Sequence, residues 1–151
     1  VGAVRGPLGP DVAFLDAALA LAFASAPVDP ARIVLAGFSD GASAALTLGL
    51  ANGDRFTHVA AFAPGFLTPL PPVGRPAIFV THGTHDRVLP IDRCSRRVVP
   101  ALRAAGYTVR YQEFDGGHII APRQLLAALG WLHGAAVRAG GLPGAEPPQH
   151  G

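Results

Sequence analysis

The spacing of apolar residues changes several times along this chain, and each change marks an element. Val12, Leu15, Leu19 and Ala22/Phe23 recur three to four positions apart, which predicts a helix over residues 8–26. Pro10 suits the first turn of that helix, and Asp11 suits its positive end. Pro30 biases Asp29 away from helical conformation, so residues 28–30 form a turn. Residues 32–38, Arg-Ile-Val-Leu-Ala-Gly-Phe, carry a short apolar run, the pattern of a parallel strand buried on both faces. The Ala- and Leu-rich stretch 42–50 predicts a tightly packed helix ending near Asn52-Gly53.

A second buried strand is expected over 58–63, a Pro/Gly-rich loop over 64–76 and a third strand over 77–82. Residues 91–105 read as a helix broken by Pro100 and closed by Gly106. Alternation over 107–114 predicts a fourth strand. Leu125, Leu129 and Leu132 align on one face of a final helix over 122–138, and Trp131 in it reads as packing. From Gly140 onward the chain is Gly/Pro-rich and expected to be disordered. Strands alternating with helices imply a mainly parallel sheet between helices, a three-layer α/β/α fold. One domain is expected over 1–138, followed by a tail over 139–151.

Composition agrees with one compact domain. The 151 residues suffice for a single core, half are hydrophobic and only 15% are charged, far from the disordered class. The net charge of +2 comes from scattered arginines rather than a cluster, which excludes a nucleic-acid footprint. The lone Cys94 allows no internal disulfide and is expected as a small buried hydrophobe. With no signal peptide and no run long enough for a bilayer, a cytoplasmic protein without a membrane span is expected. The chain contains no methionine and opens at Val1, so it reads as a piece of a longer one.

Candidate chemistry enters at residues 37–41, Gly-Phe-Ser-Asp-Gly. Gly-x-Ser-x-Gly between a buried strand and a helix is the pattern of a nucleophile elbow, a strained turn that lifts the serine above the strand ends. Gly37 and Gly41 are read as leaving room for neighbouring backbone, and the Asp40 N–H as an oxyanion donor. The other reading of Ser39 is a helix N-cap. A serine hydroxyl is a weak nucleophile and needs a base, itself oriented by an acid. Asp86 follows the third strand and His118 the fourth, in the order Ser-Asp-His and just past the C-terminal strand ends, where Ser39 also lies.

Neighbouring polar residues compete for these roles. Asp115, three residues before His118, is the alternative orienting acid, but it suits a turn before Gly116-Gly117. His82 and His85 have a metal-like spacing without a third ligand, so no metal and no cofactor are expected. His82 is expected to close its strand and His85 to shape the loop presenting Asp86. Arg87 is expected at the surface, paired with Asp92 or Asp86.

Four segments carry a family resemblance: Val28-Asp29-Pro30-Ala31-Arg32, Gly37-Phe38-Ser39-Asp40-Gly41, His82-Gly83-Thr84-His85-Asp86-Arg87-Val88-Leu89-Pro90, and Gly117-His118. The chain resembles the C-terminal part of an α/β-hydrolase of the serine esterase kind, in the carboxylesterase/lysophospholipase and polyhydroxybutyrate-depolymerase-like branches. The likeness covers roughly residues 8–135. It implies Ser39 as nucleophile, Asp86 as orienting acid and His118 as base, hydrolysing a small-molecule carboxylic ester through an acyl-enzyme. It also implies strands ahead of residue 8 and a loop supplying a first oxyanion-hole donor, for which this sequence has no candidate. Without those strands, 32–38 would be an exposed apolar edge.

In such families Asn, Gln or His often follows the serine, whereas here the Asp40 carboxylate must face away. Phe66, Leu67 and Leu70 lie in the loop where lids are commonly inserted, and are candidates for an apolar wall. That loop is too short for a helical cap, so the site is expected to be open. It reads equally as a proline-stiffened connector. A peptidase or acyltransferase would share the elbow. A truncated, inactive hydrolase would serve as a binding module, and a dienelactone-hydrolase-like enzyme would place Cys where Ser39 stands.

Overall fold

The computed structural model describes residues 4–6 and 9–139. Helix α1 (Gly9–Ser25) leads to strand β1 (Val34–Phe38), helix α2 (Asp40–Ala51), strands β2 (His58–Phe62) and β3 (Ala77–Gly83), and a single 3₁₀ turn (Ile91–Arg93). Helix α3 (Ser95–Ala104), strand β4 (Val109–Phe114) and helix α4 (Pro122–Ala139) complete the order. All four strands are parallel, in the order β1-β2-β3-β4. The register aligns Phe38, Phe62, Thr81 and Gln112 across the sheet, so the C-terminal strand ends form one rim.

Period-2 alternation sends the two halves of each strand to different layers. Leu35, Val59, Ile78 and Val109 lie in one row, packing with Leu46 and Leu50 of α2 and Val98, Val99 and Leu102 of α3. Val59, Ile78 and Leu46 are fully buried, each such side chain contributing about 1.5–3 kcal/mol. On the opposite face Ala60, Phe62 and Phe79 meet Ala128 and Trp131 of α4. Helix α1 joins the α2 side through Val12, Leu15 and Leu19, against Leu48 and Phe56. The expected three-layer α/β/α arrangement is thus present.

Several details differ from expectation. Strand β1 is not buried on both faces: Val34 and Ala36 are exposed, because among the described residues β1 pairs only with β2. Pro100 does not break α3. It sits on the exposed side, where the one missing N–H is met cheaply, and the break falls at Cys94, between the 3₁₀ turn and α3. Gly106, at φ +87°, closes α3 as expected.

The α4 residues packed with the sheet are Ala127, Ala128 and Trp131; of the predicted leucines, Leu125 is 44% and Leu129 54% exposed, while Leu132 is half-buried. Trp131 covers the sheet here, with its ring centroid 5.6 Å from that of Phe79 and 5.3 Å from that of His58. The tail expected from Gly140 lies outside the described residues. Cys94 is buried and unpaired.

The 64–76 connection takes the place of a crossover helix and is fastened to α2. The amides of Gly65 and Phe66 donate to Ser43 Oγ, that of Thr68 to Thr47 Oγ1, and that of Val73 to the Leu50 carbonyl. Among the described residues no helix is long and apolar enough to cross a membrane.

Candidate active site

Ser39 stands between the last residue of β1 and the first of α2, at φ 58° and ψ −124°. A side chain pays a steric penalty there, of order 1–3 kcal/mol, that ordinary turns avoid. Its own amide donates to the Phe62 carbonyl at 2.9 Å, and its carbonyl accepts from Ala42 and Ser43. Its side chain makes no capping bond to α2, so the N-cap reading does not describe it. Asp40, exposed at the first position of the helix, has no partner for its amide among the described residues, as expected of a helix N-terminus.

Of the two elbow glycines, only Gly37 is required by the described structure. A Cβ there would collide with the Gly41 carbonyl, whereas a Cβ on Gly41 meets nothing within 4 Å. Gly37→Ala is therefore expected to cost about 1–3 kcal/mol in urea unfolding, while Gly41→Ala leaves the midpoint nearly unchanged.

His118 must travel far to meet Ser39. Its loop follows β4, three strand spacings from β1, or about 14 Å. The Gly116-Gly117 stretch crosses above Gly83 at the end of β3, where a Cβ would strike both the Gly116 and Gly117 carbonyls. The crossing is held by Thr84 N–H to the Phe114 carbonyl and His85 N–H to the Gly116 carbonyl. The His118 ring then rests on Phe38 of β1, with centroids 4.8 Å apart. Its Nε2 lies 2.9 Å from Ser39 Oγ and its Nδ1 2.6 Å from Asp86 Oδ2. Nδ1–H donates to the carboxylate, which leaves Nε2 bare to accept from the serine hydroxyl.

Asp86 has its side chain wholly out of solvent. Its Oδ1 accepts from the amides of Val88 and Leu89, at 2.9 and 2.8 Å. Burial alone would raise its pKa, but the bonds from His118, Leu89 and Val88 outweigh that and hold the carboxyl below its ordinary value. Since the folded pKa is depressed, ionised Asp86 stabilises the fold above the unfolded carboxyl range, and that contribution is lost as pH falls through the folded value. Burial, reinforced by the Asp86 charge, raises the nearby Cys94 thiol and keeps it unreactive.

The other residues singled out from sequence are placed elsewhere. Asp115 Oδ1 pairs with His85 Nδ1 at 2.9 Å, on the surface and away from the His118 ring nitrogens. His85 is exposed and His82 fully buried, so the two do not converge on a metal. Among the described residues no group of three metal-binding side chains forms. Asp92 pairs with Arg96, not with Arg87, and Asp86 is occupied by His118 and main-chain amides.

Leu67 and Leu70 turn away from the rim. They line a cavity of about 180 Å³ with Thr47, Leu50, Leu102 and Tyr107, which includes none of Ser39, Asp86 and His118. Phe66 alone stays exposed, its amide bonded to Ser43 one turn along α2 from the elbow. Sequence reasoning missed Gly83, Ser43 and the surroundings of His82; the Gly after His82 was the one available signal.

A family model described as phospholipase/carboxylesterase matches residues 14–134. The solved structure of esterase PE8 is 32% identical, with a TM-score of 0.70 over 80% of this chain and 58% of that one. A Bacillus cereus carboxylesterase (21% identical, TM-score 0.65, 82% of this chain and 57% of that one) has the same fold. So has Arabidopsis thaliana SOBER1 (20% identical, TM-score 0.68, 82% and 60%). The chain thus spans under two thirds of the length of these structures. A search of curated proteins gives no match.

Proposed function

We propose, for a chain that belongs to the phospholipase/carboxylesterase family of α/β-hydrolases, that it cleaves carboxylic esters through an acyl-enzyme on Ser39. The observation that carries this reading is the unbroken line of bonds from Ser39 Oγ through His118 to Asp86, made by side chains from three separate loops. Such a line has no structural purpose that a simpler contact would not serve, and it matches the needs of a weak nucleophile.

Ser39 Oγ attacks the ester carbonyl carbon as its proton passes to His118 Nε2. Asp86 stabilises the imidazolium through Nδ1–H. The Asp40 amide, at the positive end of α2, donates to the developing oxyanion. Collapse expels the alcohol, which takes the proton from His118 and leaves Ser39 acylated. Water gives a proton to His118 as it attacks the acyl carbon, and collapse breaks the bond to Ser39 Oγ, which takes that proton back as the acid departs. Phe66 is assigned to the apolar wall beside the acyl or alcohol group, on the strength of its exposure next to the elbow. Leu67 and Leu70 keep only the role of holding their loop.

Hydrolysis of short p-nitrophenyl esters, set against the matching anilides, tests the assignment. Esters are expected to turn over with a pre-steady-state burst of alcohol. Anilide cleavage matching ester cleavage would point to a peptidase instead. A burst followed by turnover only when an alcohol is added as acyl acceptor would point to an acyltransferase.

A further inference from the structure

His82 lies at the end of β3, 0% exposed, and the proton path above makes no use of it. Both its ring nitrogens are engaged. Nδ1 is 2.6 Å from Ser95 Oγ; Nε2 is 2.8 Å from the Leu89 carbonyl and 3.2 Å from Asp86 Oδ2. A carbonyl can only accept, so Nε2 carries the proton and donates to Leu89, Asp86 Oδ2 lies beside that N–H without a hydrogen bond from it, and Nδ1 accepts from the Ser95 hydroxyl. Ser95 is itself fully buried at the first position of α3. A rigid helix thus holds the ring from behind.

Asp86 accepts from three N–H donors, the Val88 and Leu89 amides at Oδ1 and His118 at Oδ2. Both amide bonds to Oδ1 come from the 86–89 turn and depend on where that turn is held. The bond from His82 Nε2–H pins the carbonyl of Leu89, whose amide holds Asp86 Oδ1, and it leaves the ring nitrogen 3.2 Å from Oδ2. We infer that His82, oriented by Ser95, is a positioning residue that holds the Asp86–Leu89 turn, and through it the Asp86 carboxylate, in place against His118 Nδ1. The inference rests on the esterase reading above for its catalytic consequence, but not for its geometry.

Three variants test it. His82→Gln keeps an amide N–H close to where Nε2 sits. His82→Phe keeps the ring volume and removes both polar contacts. Ser95→Ala removes only the bond at Nδ1. The turnover number, counted per site titrated with a phosphonate ester, is expected to fall about tenfold to a hundredfold in His82→Phe, with KM within about twofold. The loss should be smaller in Ser95→Ala and largely restored in His82→Gln. The low-field proton resonance of His118 Nδ1–H, recorded without substrate, should move upfield and broaden in the same rank order.

A role confined to the fold would lower the melting temperature and the number of titratable sites, yet leave turnover per site and the resonance unmoved; that result overturns the inference. Should His82→Phe fail to fold, an unmoved resonance in Ser95→Ala overturns it equally. The two claims separate cleanly. A shifted resonance in a chain that turns over no ester refutes the esterase reading and leaves the positioning role standing. Normal turnover with an unmoved resonance refutes the positioning role alone.

Discussion

Ser39→Ala is expected to lower ester turnover by about a million-fold, the loss typical when an acyl-enzyme nucleophile is removed from a connected triad. The size follows from what the hydroxyl does. Ser39 Oγ bonds to His118 Nε2 and makes no capping bond to α2, so removing it takes away the attacking atom and little structural support. The alanine keeps the strained backbone at φ 58°, and the unfolding midpoint should stay within the ~0.5 kcal/mol typical of benign changes. Steady-state hydrolysis of an activated ester, paired with urea unfolding, checks both halves. A folded variant that retains more than about a thousandth of the native rate would show that the ester is cleaved elsewhere.

The second large effect is expected at Asp86→Asn, a loss of about ten-thousand-fold in turnover. The asparagine must choose an orientation. Its carbonyl oxygen belongs at the Oδ1 place, where the Val88 and Leu89 amides converge. Its NH₂ then falls at the Oδ2 place, facing N–H groups of both His118 and His82. His118 relieves the clash by moving its proton to Nε2, which then points at Ser39 and cannot accept. The rate should fall with KM nearly unchanged, and the acid sensitivity of folding contributed by Asp86 should vanish with the carboxyl. Asp115→Asn is the control. Its carboxylate meets only the exposed His85, so turnover should stay within about twofold of the native rate.

The contrast between these two aspartates shows what could be read from the chain. Ser39, Asp86 and His118 were legible because each follows a strand, the strands are parallel, and chain order alone brings the three to one rim. Their connection across the sheet was not. It depends on Gly83, whose missing Cβ lets the His118 loop pass overhead, and nothing in the local pattern says which loop crosses a given glycine. His82 carried the same difficulty: its partners are Leu89 and Ser95, brought together by the turn at 91–94 rather than by period.

Hydrophobicity misled about which side chains meet which neighbours. Leucines marked the apolar side of α4, yet Ala127, Ala128 and Trp131 are the α4 residues packed with the sheet, and the leucine spacing alone does not tell which side of the helix meets the strands. Leu67 and Leu70 suggested a substrate wall and instead pack behind α2, held by loop-to-helix bonds that no periodicity encodes. Burial of 32–38 on both faces was read from a short apolar run, which does not tell a central strand from one with a single neighbour; the alternative reading, an exposed apolar edge, describes β1 among the described residues.

The central claim is that Ser39 is an activated nucleophile, and covalent labelling tests it most directly. The chain is incubated with a fluorophosphonate, and the intact mass and peptide map are followed in time. The account predicts one adduct per chain, carried by Ser39, absent from Ser39→Ala and slowed strongly in His118→Ala. A native chain that labels no faster than Ser39→Ala, or that carries its adduct on another residue, would contradict it.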